Sequence, residues 1–174
     1  MPVDSEKQMS VDLGAILEGL ARTGVEFILV GGLAAVVQGA PVTTMDVDIV
    51  HSQSPENIAR LMEYLESIDA FHRRPDDKLK RPQVGDVSGK GHALFTTRLV
   101  PIDALAVIEG GRAYGDLFEH TVEIEFRNHT IRVLDLEMLV RLKKTSPDAE
   151  DRQRLPVLEE TLRQLKEESG NEQG

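Results

Sequence analysis

Three aspartates have the spacing and the setting of a metal site. Asp46 and Asp48 stand two positions apart at the start of an apolar stretch, and Asp103 lies about 55 positions further on in another. Side chains two apart on a strand share one face, so Asp46 and Asp48 can be directed at one point. Carboxylates that close repel each other unless a cation neutralises them, and ligand sets of oxygen alone suit Mg²⁺ or Mn²⁺. We therefore expect the three carboxylates to be both metal ligands and catalytic residues.

Two glycines precede this pair in a position that suits a phosphate group. Gly31 and Gly32 follow the apolar run 27–30, which predicts a buried strand, and precede the short apolar helix predicted over 33–37. Glycines let a backbone approach a polyphosphate closely, and a helix N-terminus offers free N–H groups. Taken singly, a Gly-Gly pair is more often a plain tight turn and an Asp-x-Asp pair is more often solvated. The order of all these features along the chain favours the functional interpretation.

The remaining elements must bring these residues together. Helices, strands and one long charged loop alternate without a strict strand–helix–strand rhythm, which predicts an α+β fold with a mixed β-sheet flanked by helices. The expected elements are a helix over 11–20, a strand from 47, a helix after the capping Ser54, a loop over 69–91, strands over 93–97 and 99–105, a hairpin over 121–133, and helices over 135–144 and 150–167.

Length and composition limit the kind of protein. The chain has 174 residues, so we expect one domain over 1–174, with the helices of 135–167 packed on it and a polar, disordered tail over 166–174. A net charge of −10 argues against generic DNA packaging and against binding anionic membranes, and without cysteine there is no thiolate metal site. No apolar run is long enough to span a bilayer and the first residues do not resemble a signal peptide, so a cytoplasmic location is expected.

Three segments of the chain resemble a known enzyme family. Residues 27–32, followed by Thr44, Asp46 and Asp48, resemble the minimal nucleotidyltransferase of the DNA polymerase beta superfamily. The resemblance is closest to the stand-alone AbiEii-type, toxin-like members, and the segment 133–143 followed by Asp151 is similar to their C-terminal helix. The likeness covers roughly residues 12 to 165.

The resemblance implies a Mg²⁺-dependent transfer of a nucleoside monophosphate from an NTP to a hydroxyl group. It implies that Asp46 and Asp48 hold the metals, that Asp103 helps to activate the acceptor hydroxyl, and that Lys143 contacts the triphosphate. Gly31, Gly32 and Thr44 are the further nucleotide-binding residues that it implies. Relatives of this type suggest RNA, such as a tRNA end, as acceptor and an antitoxin as protein partner.

Two alternatives stay open. Enzymes that modify aminoglycoside or lincosamide antibiotics share the fold, and an acidic protein suits a cationic aminoglycoside at least as well as RNA. The chain also departs from the family pattern at Gln38, Val42 and Asp148, which motivates a catalytically inactive nucleotide-binding module. A cluster of cations within 73–81 is the best candidate for contact with nucleic acid or an acidic partner, although such loops are usually just solvated.

Overall fold

A computed structural model describes residues 11–76 and 78–172 and contains a mixed sheet of seven strands with helices packed on it. The predicted α+β fold is thereby confirmed. The strands, in chain order, are β1 Phe27–Val30, β2 Val47–His51, β3 Phe71–His72, β4 His92–Thr96, β5 Ile102–Leu105, β6 Thr121–Phe126 and β7 His129–Leu134. The helices are α1 Val11–Arg22, α2 Gly31–Val37, α3 Pro55–Ser67, α4 Val84–Val87, α5 Tyr114–Leu117, α6 Leu136–Lys144 and α7 Ala149–Glu172.

The centre of the sheet is built from the most apolar strands. The order across the sheet is β3-β4-β5-β2-β1-β7-β6, so β1 and β2 lie inside it, as their nearly continuous burial requires. Strand β1 is antiparallel to β2 and parallel to β7, and β2 is parallel to β5. The parallel pair of β2 and β5 sets Asp48 directly beside Asp103.

The two faces of the sheet differ near these aspartates. Along β4 the side chains alternate between buried Ala93 and Phe95 and the exposed side chains of His92, Leu94 and Thr96. The strand register places Leu94 opposite Asp103, so the exposed set of β4 lies on the face that carries the aspartates. The opposite face is buried beneath helices, and His51 from that face donates through Nε2 to the carbonyl of Val87 in α4, at 2.7 Å.

The segment over 69–91 is more ordered than its composition predicts. It contains the short strand β3 and the helix α4, and the backbone N–H of His72 bonds to the carbonyl of Lys80. The ring of His72 pairs with Asp86 at 2.9 Å, and the carboxylate of Asp86 also accepts from the N–H of Gln83 at the start of α4. His72 thus contacts residues 8 and 14 positions further along the chain, and local composition does not reveal such contacts, so it indicated only a loop.

The C-terminal helix is longer than expected. Residues 166–174 have no apolar face, which predicted a disordered tail, but α7 continues to Glu172, and residues 173–174 lie outside the described part. Arg163 pairs with Glu160 and Glu167 at helical spacing, and such pairs support a helix without any packing. Of the described helices, none is both long and apolar enough to cross a membrane.

We expect His51 to destabilise the protein in acid. Burial lowers the pKa of His51, whereas in the unfolded chain it lies near the usual 6.5. Below about pH 6.5 the unfolded chain binds the proton and the folded state resists it, so the free energy of unfolding falls. The loss by pH 5 is at most about 2 kcal/mol, since each pH unit is worth about 1.4 kcal/mol.

Urea unfolding of the protein and of His51→Gln at pH 7, 6 and 5 measures this effect. The variant keeps a side-chain donor but cannot take up a proton, so its stability should fall less between pH 7 and 5. Stability curves that run parallel for the two proteins would show that His51 is not the cause.

Candidate active site

The three predicted aspartates meet at one end of the central strands β2 and β5. Asp48 on β2 and Asp103 on β5 are neighbours in register, and Asp46 lies just before β2. One carboxylate oxygen from each lies within 4.8 Å of the others, and all three residues are half-buried. A cluster of this size is compatible with one or two divalent cations held by oxygen ligands.

Burial and mutual repulsion make the charged form of these carboxylates unfavourable. Burial, followed by the neighbouring charges of Asp46 and Asp103, raises the pKa of Asp48 to about 8. Burial and then the charge of Asp103 also raise the pKa of Asp46, against the opposing effect of Arg73. The Oδ1 atom of Asp48 is buried and has no hydrogen-bond partner among the described residues. A bound divalent cation would satisfy that oxygen and offset the repulsion, so the residues fit a metal site.

The two glycines lie against these groups. Gly31 is the first residue of α2, has a φ of +71°, and packs so closely on Asp48 that a Cβ would overlap its carboxylate. A Cβ on Gly32 would lie 3.0 Å from Oγ1 of Thr44 and 3.3 Å from Nη1 of Arg154. The helix begins at Gly31, two residues earlier than predicted. The structure brings Gly31, Gly32 and Thr44 together.

Lys143 lies on the other side of Asp48. It projects from α6 into a cavity of about 190 Å³ whose wall also contains Gly31 and Asp48. Its Nζ lies 2.5 Å from Oδ1 of Asp151, and the hydroxyl of Ser146 donates to the other oxygen of Asp151 at 2.7 Å. The rest of the cavity wall is mostly apolar, with Val30, Leu105, Ile108, Leu134, Leu139 and Leu142. A cation beside an apolar cavity offers contacts both to a phosphate chain and to a flat ring.

The structure adds two arginines to the site, neither of which was assigned to it from the sequence. Arg73 donates through Nη2 to Oδ1 of Asp103 at 2.9 Å, and Arg154 on α7 donates through Nη2 to the carbonyl of Thr43 at 3.1 Å. Arg154 follows Asp151 by three residues, and residues three apart share one face of a helix, so this spacing is the signal by which Arg154 could have been found. Arg73 was recognised only as part of the basic cluster, because its contact with Asp103 depends on how β3, β4 and β5 pair.

Comparison with known proteins identifies the fold. The lincosamide antibiotic adenylyltransferase LnuA, solved with lincomycin bound, has a TM-score of 0.58 at 15% identity, over 87% of this chain and 96% of its own. The antibiotic-resistance factor ANT(2'')-Ia has a TM-score of 0.52 at 12% identity, over 91% of this chain and 85% of its own. No protein-family model and no curated protein matches the sequence.

These likenesses confirm that the chain has the nucleotidyltransferase fold. At such low identities they establish the fold alone, because one fold supports many functions. The closer resemblance to AbiEii-type proteins and the roles of the individual site residues stay predictions.

We predict that Mg²⁺ stabilises the protein through the three carboxylates. A ligand that binds only the folded state, at a hundred times its dissociation constant, adds about 2.7 kcal/mol, or roughly 5–10 °C in melting temperature at this size. Thermal unfolding with and without Mg²⁺ should show this shift for the wild type and lose it for Asp48→Asn. Asp69→Asn removes the charge of an exposed aspartate elsewhere and should keep the shift. An equal shift in both variants would exclude the site.

We predict that Gly31→Ala damages the metal site beyond its backbone strain. Gly39 provides the matched control, because its φ is also positive, at +101°, but a Cβ added there would have no atom within 4 Å. Both alanine variants should lose stability, by roughly 1–2 kcal/mol from the strained backbone. Only Gly31→Ala, which displaces Asp48, should also lose the Mg²⁺-dependent shift in melting temperature, and retention of that shift would refute the close packing described here.

Proposed function

We propose that this protein is a metal-dependent nucleotidyltransferase, which moves a nucleoside monophosphate from an NTP to a hydroxyl group of an acceptor. The observation that carries the proposal is the cluster of Asp46, Asp48 and Asp103, in which a buried oxygen of Asp48 has no partner among the described residues. Burying three carboxylates costs stability unless the site binds a cation, so the cluster has a functional explanation and no evident structural one.

The proposed reaction assigns each side chain a task. The acceptor hydroxyl attacks the α-phosphorus of the NTP, a P–O bond to the acceptor forms, and pyrophosphate leaves with the electron pair of the broken P–O bond. Asp103 accepts a hydrogen bond from the attacking hydroxyl and takes its proton. Lys143 binds the phosphate chain, while Gly31 and Gly32 allow that chain to approach the backbone closely. Bound Mg²⁺ or Mn²⁺ would supply the charge that lowers the pKa of the hydroxyl and stabilises the pyrophosphate.

The cavity beside Lys143 is the proposed site of the nucleoside. Its wall is mostly apolar and it opens next to Asp48, so a nucleotide placed there has its phosphates at the carboxylates. Arg154 adds a cation close to Gly32 and Thr44, where the polyphosphate would pass.

The departures from the family pattern have structural explanations that leave the cluster intact. Gln38 ties α2 to β7, since its Nε2 donates to the carbonyls of Ala34 and Leu134 at 2.8 and 2.9 Å. Asp148 accepts from the N–H of Glu150 at 2.7 Å at the start of α7. Val42 packs against the hydrophobic core. The alternative of a catalytically inactive nucleotide-binding module is therefore weaker, because such a module has little reason to keep three half-buried carboxylates close together.

The acceptor and the biological role belong to the same proposal. An RNA acceptor such as a tRNA end, with the enzyme as the toxin of a toxin–antitoxin pair, rests on the sequence resemblance. A small-molecule acceptor, such as an aminoglycoside or a lincosamide, is supported by a neighbour in fold, LnuA, that is an adenylyltransferase of lincosamide antibiotics.

Transfer of label from α-³²P NTPs tests the reaction. The protein is incubated with Mg²⁺ and each NTP in turn, alongside total RNA and a panel of aminoglycosides and lincosamides. We expect label in one acceptor pool and at least about a hundredfold less with Asp46→Asn, since the electrostatic stabilisation lost is typically of that size. Asp69→Asn, which alters only an exposed charge, should keep full transfer.

The outcomes separate the alternatives. Calorimetric titration of ATP shows whether the nucleotide binds and whether binding requires Mg²⁺. Tight, Mg²⁺-dependent binding without transfer to any acceptor would favour the inactive binding module. No binding of any NTP would refute the proposed function altogether.

A further inference from the structure

The side chain of Arg73 bridges the catalytic cluster and the exposed part of the sheet. Its Nη2 donates both to Oδ1 of Asp103 at 2.9 Å and to the carbonyl of Phe95 at 3.1 Å. Its backbone N–H donates to the carbonyl of Leu94, also at 2.9 Å, so the residue is anchored along β4. The side chain of Arg73 is 37% exposed and that of Asp103 only 17%. Arg73 therefore lies between the proposed base and the solvent.

The guanidinium group keeps donors for a ligand. A single nitrogen, Nη2, makes both hydrogen bonds, and among the described residues Nε and Nη1 have no hydrogen-bond partner. A carboxylate has two oxygens, so Arg73 on Oδ1 leaves the second oxygen of Asp103 for a metal ion. The N–H groups of Nε and Nη1 point in different directions, so each can donate a hydrogen bond of its own to an oxygen of a bound ligand, and such bonds from a charged donor to a phosphate group are strong.

The exposed face of β4 offers an acceptor an approach to Asp103. On the side of β1 and α6, Asp48 borders the cavity with Lys143, which the nucleotide is proposed to fill. On the other side lies the uncovered face of β4, where Leu94 stands opposite Asp103 and is 40% exposed. An acceptor that places its hydroxyl on Asp103 from this side has its body against Leu94 and its neighbouring groups within reach of Arg73.

Charge decides which kind of acceptor fits there. A cationic acceptor would bring its positive charge next to Arg73, at the start of a segment that also carries Arg74, Lys78, Lys80 and Arg81. The described residues hold one ion pair within this segment, between Arg74 and Asp76. The segment 73–81 contains five cations and, with Asp76 and Asp77, two acids, so its own charge is positive although the whole chain has a net charge of −10.

We propose that Arg73 binds a phosphate group that the acceptor carries beside its reacting hydroxyl, so that the site selects phosphate-bearing acceptors over cationic ones. The inference rests on the proposed transfer reaction and adds to it the class of acceptor. The phosphate can come from the end of a polynucleotide or from a small phosphorylated sugar, and the two sources share this recognition chemistry.

An equilibrium binding experiment without NTP tests the proposal separately from the reaction. The probe is an RNA trinucleotide with a free 3' hydroxyl and a 5' fluorophore, whose anisotropy is followed as the full-length protein is added in Mg²⁺. We expect Arg73→Gln to weaken binding about 10- to 100-fold, the usual loss for a hydrogen-bonded ion pair. Arg73→Lys keeps the charge but replaces the planar guanidinium and its several fixed N–H donors by a single ammonium group, and should give an intermediate loss.

Arg74→Gln is the matched control. Arg74 is the next residue, carries the same charge and has the same side-chain exposure of 37%, but it pairs with Asp76 and not with Asp103. We expect its affinity for the probe to stay within about twofold of the wild type, since a surface ion pair contributes little. Thermal unfolding of each variant in Mg²⁺ verifies that the fold and the metal site persist.

Competition distinguishes the source of the phosphate. Displacement of the probe by ribose 5-phosphate at similar affinity would support the proposal with a small phosphorylated acceptor, and displacement by unlabelled trinucleotide alone would support it with a polynucleotide end. Equal affinity of wild type and Arg73→Gln for the probe would overturn the proposal, as would tighter binding of an aminoglycoside than of the trinucleotide. Loss of NMP transfer with Arg73-dependent binding intact would refute the reaction and not the recognition.

Discussion

Repulsion among three half-buried carboxylates is the constraint on which the rest of this structure depends. The parallel pairing of β2 and β5 fixes Asp48 beside Asp103, and neither can move away without breaking the centre of the sheet. The residues on either side of Asp48 and Asp103 in these central strands are buried and close-packed, which fixes the positions of the two aspartates. The fold therefore supports an arrangement that is unfavourable by itself and that becomes favourable when a cation binds. Pre-organised negative charge is what an oxygen-ligated metal site needs.

The surrounding residues complete this arrangement from different parts of the chain. Gly31 removes the side chain that would collide with Asp48, Lys143 and Arg154 contribute cations from the two C-terminal helices, and Arg73 arrives from the segment before β4. Three of these four groups are positively charged, so the site combines a fixed cluster of carboxylates with three nearby cations. A polyphosphate and its metal ions have the complementary distribution of charge.

The sequence predicted the centre of the molecule better than its periphery. Strand β1 and the pair Asp46 and Asp48 follow from local patterns, because burial and alternation act over a few residues. Gly31 lies where the sequence predicted it, but the helix was predicted to begin at Leu33, because the apolar run that indicates it starts after the two glycines. Arg73 could not be placed, because its contact with Asp103, thirty positions further along the chain, depends on how β3, β4 and β5 pair. The C-terminal helix was predicted over 150–167, but its continuation to Glu172 was not, because the residues after Leu165 have no apolar periodicity.

The outermost strand on this side, β3, has only two residues, and this has an evolutionary consequence. Substitutions in the segment around β3 act on a sheet edge with few contacts, so they perturb the core far less than substitutions in β2 or β5. Arg73 follows directly after this strand, whereas the carboxylates lie on central strands. Under the proposed function, substitutions near Arg73 would alter which acceptor binds, while the half-buried carboxylates of the central strands stay in place. A fold of this kind can evolve new acceptor specificities through substitutions around β3, while the metal-binding carboxylates proposed on β2 and β5 stay the same.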